Sequence, residues 1–165
     1  MAMVGLFWIT ETSVYVGAEP EGYGRSVRLT ADGVEALGTD QRGSWAWVDV
    51  RALGVHCAPV RSGSRWMVGA AVSTVLDAAL GGGEVPPVFE VHVEDEDGTT
   101  ELDTYSAALH GYATFEYDLS VMLLQRFVTG IANVSVLLDW GRAHAVEGTP
   151  GREAREALLR QWMEA

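Results

Sequence analysis

Phe89, Val91 and Val93 alternate with Glu90, His92 and Glu94; after Asp97-Gly98 the chain returns through Thr100, Leu102 and Thr104. Successive side chains on a strand point to opposite faces, so a period-two pattern buries one face only as an extended ribbon. Asp-Gly supplies the turn, because glycine accepts positive φ at little cost. This segment is a β-hairpin with an apolar face that the rest of the chain must cover, and its outward face carries His92 among acids.

The same grammar recurs upstream. Trp8-Ile9-Thr10-Glu11-Thr12-Ser13-Val14-Tyr15-Val16 lines up with Arg28-Leu29-Thr30-Ala31-Asp32-Gly33-Val34-Glu35-Ala36. In each, an apolar residue and a threonine lead into a short polar turn, and valine follows. Two successive hairpins are expected, joined by the glycine-rich stretch 18–24, with a Thr30-capped helical turn over 31–37 as the alternative for the second. Trp45 and Trp47 then precede Leu53, Val55 and Cys57, which alternate with small or polar residues. If the stretch is extended throughout, both tryptophans face one way and Cys57 lies in the core.

Segment 66–80 runs apolar for about four helical turns with Asp77 as its only charge, and Gly81-Gly82-Gly83 closes it. Hydrophobic nearly all round, it should be a buried helix. Gly69, Ala70, Ala71, Ser73 and Ala78 permit close approach of a second helix, so Trp66, Val72, Val75 and Leu76 are expected at a self-association or partner interface. Asp77, a turn before the glycines, is expected to reach solvent; buried, it would have to be paired, protonated or functional. Helical spacing returns at Leu119, Met122, Leu123, Phe127 and Ile131, with Glu116 and Asp118 in the first turn, where acids favour the helix dipole. Gly130 and Asn133 break it, 134–140 continues as a second helical piece, and Thr149-Pro150 reads as cap and first position of a C-terminal amphipathic helix over 153–163. The layout is α+β: a single domain over 1–145 built of antiparallel hairpins with the helical insert, followed by the C-terminal helix in 146–165.

The turn Thr30-Ala31-Asp32-Gly33-Val34, followed by Trp47-Val48-Asp49-Val50-Arg51-Ala52-Leu53-Gly54-Val55, resembles bacterial pleckstrin-homology-like domains. A later strand, acidic-glycine turn, strand and helix fall in the family's order, so the resemblance spans about residues 4–130. It implies a barrel-like or sandwich scaffold of antiparallel hairpins capped by a helix. The apolar insert has no place in the minimal fold, and the basic phosphoinositide-binding loop of many members is missing, so no ligand residue carries over.

Charge narrows the function. The formal net charge is -12, and eleven acids but no arginine fall between Arg65 and Arg126. Such a surface repels phosphate backbones and anionic headgroups, which argues against nucleic acid. All eleven cationic side chains are arginine, so lysine Schiff bases and a Walker-type lysine are excluded. One cysteine forms no internal disulfide, no apolar run reaches a membrane span, and the first residues lack a signal peptide's basic start; a cytoplasmic protein is expected.

The acidic turn Glu94-Asp95-Glu96-Asp97-Gly98 fails as a calcium loop, because with Gly98 at position six, Val93 and Thr104 occupy positions one and twelve. His56, His92, His110 and His144 are far apart in sequence, which leaves His92 as a surface residue and a cluster of His110 with Asp118 or His144 open to tertiary structure. No G-x-S-x-G elbow or phosphate-cradling glycine loop occurs. The reading is a non-enzymatic protein-interaction module without metal or cofactor, with a protein partner or a second copy of itself docking at the insert or at Asp95, Glu96 and Asp97. The alternatives are an acidic, immunity-type neutraliser of a basic protein, and an enzyme whose acid and histidine site assembles only in the fold.

Overall fold

The computed structural model describes residues 1–22, 24–61 and 85–165. The insert 66–80, with Trp66, Val72, Val75, Leu76 and Asp77, lies outside them. Six antiparallel strands form a meander in which each strand pairs with its sequence neighbour: β1 (Ala2–Val4), β2 (Phe7–Ile9), β3 (Val14–Val16), β4 (Ser26–Leu29), β5 (Gly33–Leu37) and β6 (Gly43–Ala46). A second antiparallel sheet has the order β10-β9-β7, from β7 (Ala52–His56), β9 (Val88–Glu94) and β10 (Thr99–Tyr105). A two-residue parallel bridge joins β8 (Val60–Arg61) to β11 (Tyr112–Ala113). Helices α1 (Thr114–Val128), α2 (Ser135–His144) and α3 (Arg152–Glu164) follow, with a 3-10 turn (Ala145–Glu147) between the last two. The protein is therefore α+β, with open antiparallel sheets and three helices among the described residues.

The two threonine turns are built alike. Thr10 Oγ1 accepts hydrogen bonds from Thr12 N and Ser13 N, and Thr30 Oγ1 accepts from Asp32 N and Gly33 N. Registers Ile9↔Val14 and Leu29↔Val34 close identical four-residue loops. The internal repeat is thus structural, with a side-chain hydroxyl organising each turn, and the helical alternative for 31–37 gives way to β5. Gly5, at φ +58, turns β1 into β2 hard against α1: a Cβ there would lie 2.1 Å from Ser120 Oγ. That same hydroxyl accepts from Leu6 N at 3.1 Å and donates to Glu116 O at 2.7 Å.

The sheets meet where β10 runs beside β4. Ala18 N donates to Tyr105 O, Thr104 Oγ1 to Val16 O, and the Gln41 side chain both donates to Asp103 O and accepts from Asp103 N. The Gln41 amide thus acts as a short surrogate strand on an edge whose peptide groups would otherwise need water. α1 serves edge strand β7 in the same way, since Gln125 Nε2 donates to Leu53 O and the Tyr117 hydroxyl to Val55 O. Burial, with Asp118 adjoining, raises the Tyr117 phenol above its usual value, which keeps it a donor.

Phe7, Ile9, Leu29 and Val34 from the meander, Leu53, Phe89, Val91 and Val93 from the second sheet, and Leu119, Leu123, Leu124 and Phe127 from α1 form one core. Each such side chain contributes about 1.5–3 kcal/mol by leaving water. The expected helical face shifts accordingly: Leu124 is buried, while Met122 and Ile131 are exposed.

Three local expectations are corrected. Trp45 and Trp47 do not share an extended strand, because β6 ends at Ala46 and a turn carries Trp47, Val48 and Asp49. Cys57 is exposed at φ 59, just past the end of β7, where the chain bends toward Pro59. The cap of α3 is Gly151; Thr149 Oγ1 instead accepts from Met3 N, tying the chain's two ends together.

Candidate functional site

Even-numbered residues of β7 and β9 and odd-numbered residues of β10 point outward, opposite the core. The register sets Gly54 and Glu101 on either side of His92, and His56 and Asp103 on either side of Glu90. One face therefore collects His56, Glu90, His92, Glu101 and Asp103. His92 Nε2 lies 3.0 Å from Glu90 Oε2, and the rings of His56 and His92 stack at 4.0 Å and 26°. A donor atom from each of Glu90, His92 and Glu101 falls within 4.8 Å of the others. His92 thus lies on the outward face, as expected, but its side chain is half-buried and set in a cluster. The legible half of the signal was the i, i+2 spacing of Glu90 and His92, which puts both on one side of a strand. Glu101 and His56 join them only through pairing register.

Charge on this face is unevenly compensated. Arg25 pairs with both Asp40 and Asp103, and its hydrogen bond holds the Asp40 carboxyl below its usual value. Among the described residues no arginine pairs with Glu90 or Glu101.

At the end of the same sheet the β9–β10 turn and the β6–β7 turn enclose a cleft of about 410 Å³, lined by Ser44, Trp45, Val48, Asp49, Arg51, Asp95, Glu96 and Asp97. Asp95 builds it: Oδ1 accepts from Asp97 N at 2.8 Å and Gly98 N at 3.2 Å, and Oδ2 accepts from Trp45 Nε1 at 3.0 Å. Of the three acids expected to dock a partner, Asp95 is therefore structural, whereas Glu96 and Asp97 are exposed and outside any ion pair among the described residues. Sequence reasoning missed Asp49, Trp45 and Val48 here. Val48 is 90 % exposed, an apolar side chain beside carboxylates.

The other residues considered do not converge. His144 stacks on Trp140 and contacts its carbonyl on α2, and His110 is exposed in the connection before β11. Neither forms a metal-ligand group with Asp118 among the described residues. A second cleft, of about 300 Å³ at the start of α1, is lined by Arg61, Arg152 and Arg155, but these already serve His110 O and Gly111 O, Glu156, and Glu116 respectively. No helix among the described residues is long and apolar enough to cross a membrane. Compared with family models, curated proteins and solved structures, the chain matches none of them.

Proposed function

We propose that this protein is a non-catalytic interaction module whose acidic cleft seats a cationic segment of a partner protein. The observation that carries the reading is the convergence of Asp49, Asp95, Glu96 and Asp97 on one cleft that also presents Trp45 and Val48. Carboxylates attract guanidinium and ammonium groups over long range, and an indole with an apolar neighbour gives such a segment a surface to pack on. Among the described residues Arg51 is the one cation in the lining, which leaves a negative surplus there. An acidic neutraliser of a basic protein is one form this module takes. The resemblance to pleckstrin-homology-like domains belongs to the same proposal, supported by the order of hairpins followed by a helix, and so does a cytoplasmic setting, which suits the exposed thiol of Cys57.

The test uses a synthetic peptide of alternating Arg and Gly as the basic probe. Reversing Asp49, Glu96 and Asp97 to Arg should weaken binding about a hundredfold, at roughly 1 kcal/mol for each exposed charge. Reversing Glu147, Glu153 and Glu164, which are exposed near or on α3, changes net charge equally and should leave binding within about twofold. Equal losses in the two triple variants would mean that overall charge, not the cleft, holds the peptide.

A further inference from the structure

We infer that Glu90, His92 and Glu101 form a binding site for a divalent transition-metal ion of the zinc class, with His56 as a positioning residue. Three placements carry this. Glu90 and His92 alternate with the core residues Phe89, Val91 and Val93, so the strand fixes both side chains on one face. Glu101 lies directly across from His92 in the β9–β10 register, which brings a third ligand from a second strand. One donor atom from each of the three already lies within 4.8 Å of the others, and His92 Nε2 is 3.0 Å from Glu90 Oε2.

Ligand bonds of about 2.0–2.2 Å in a tetrahedron set neighbouring donors about 3.3–3.6 Å apart. The Glu90–His92 pair therefore already spans close to one edge of such a site. Glu101 is exposed, so a rotamer change brings its carboxylate inward without disturbing the core. One imidazole and two carboxylates suit a borderline cation; a hard cation such as calcium wants six or more oxygens, and the third carboxylate of this face, Asp103, is already paired with Arg25. Two negative charges that no arginine pairs with, among the described residues, are then balanced by the ion. Three protein ligands leave a fourth position for water.

The setting of His92 distinguishes this group from a scatter of surface acids. The His56 ring stacks on it and occupies the space over Gly54, whose added Cβ would lie 3.0 Å from His56 Nε2. Because position 54 has no side chain, the second imidazole can lie flat against the first and limit the orientations of His92. Neutral, metal-bound imidazole tolerates that stacking, whereas two protonated rings repel each other.

Zinc titration of the full chain by isothermal calorimetry should show one ion bound per chain. Glu90→Gln, His92→Gln and Glu101→Gln should each weaken binding by about tenfold or more. His56→Gln should weaken it less, within the range of an orienting neighbour of about ten- to a hundredfold at most. Cobalt bound to the wild-type chain should show the visible absorption of a four- or five-coordinate ion, and His92→Gln should remove that band, which a merely structural histidine would not affect. The Glu147, Glu153 and Glu164 reversal serves as the control that leaves zinc affinity within about threefold, since those side chains lie near or on α3, outside the proposed ligand set. No stoichiometric zinc binding, or equal binding by the His92→Gln chain, overturns the inference and leaves the peptide cleft untouched.

Discussion

Replacing Arg155 with Met should cost about 3–5 kcal/mol of unfolding free energy, because it strands a buried carboxylate. The Glu116 side chain is 2 % exposed and that of Arg155 18 %. The guanidinium takes both oxygens, Nε to Oε2 at 2.9 Å and Nη2 to Oε1 at 2.7 Å, and its remaining Nη1 donates to Pro150 O at 2.8 Å. The pair fastens α3 to the first turn of α1, beside the Leu159 and Trp162 contacts that bury α3's apolar side. Removing one partner is far costlier than replacing both with apolar groups, so Glu116→Leu combined with Arg155→Met should recover much of the loss. Urea denaturation of the single and double variants measures both effects. An Arg155→Met chain within 1 kcal/mol of the parent, on this scale, would show that the carboxylate finds water.

The second large effect is expected at Trp47. Its indole packs on Phe127 with ring centroids 6.1 Å apart, and Nε1 donates to Thr30 O at 2.9 Å. Trp47→Ala removes both contacts and leaves a void between the Thr30 turn and α1. Full burial of a Trp side chain puts that loss at about 3–5 kcal/mol, and half-burial places this one near 3. The consequence extends to the cleft, because the turn held by Trp47 carries Val48 and Asp49. Trp47→Ala should therefore weaken peptide binding under conditions where the chain remains folded, whereas Trp47→Phe, which keeps an aromatic contact, should lose less of both. Denaturation midpoints and peptide affinity measured on the same preparations check the two together.

What could be read from the chain follows the range of the interactions. The Thr10 and Thr30 turns, the Asp97-Gly98 hairpin and the break at Gly130 are encoded within a few residues, and each appears where local pattern puts it. Cys57 misled because alternation in β7 continues on paper one residue past the strand's end, where the backbone turns to positive φ. Glu116 read as a dipole-compatible first-turn acid, and nothing nearby announced a partner thirty-nine positions later. The same limit hid the Thr149 to Met3 contact and the joining of Asp49 to the Asp95 turn. The outer-face histidines were half legible: strand period fixes Glu90 beside His92, but only the register of three strands brings in Glu101 and His56.

Amide and indole chemical-shift mapping with the arginine–glycine peptide tests the acidic cleft most directly. The Trp45 indole N–H, bonded to Asp95, sits inside the cleft, while the Trp47 indole N–H is committed to Thr30 O. Saturating peptide should move the Trp45 indole signal together with the amides of Val48, Asp49, Arg51, Glu96 and Asp97, and leave the Trp47 indole nearly still. Raising the salt from about 50 to 200 mM should reverse much of the shift, as screening between exposed charges requires. Shifts centred on the acids of α3, or spread evenly over every exposed carboxylate while the Trp45 indole stays in place, would contradict the proposal that this cleft is where a basic partner docks.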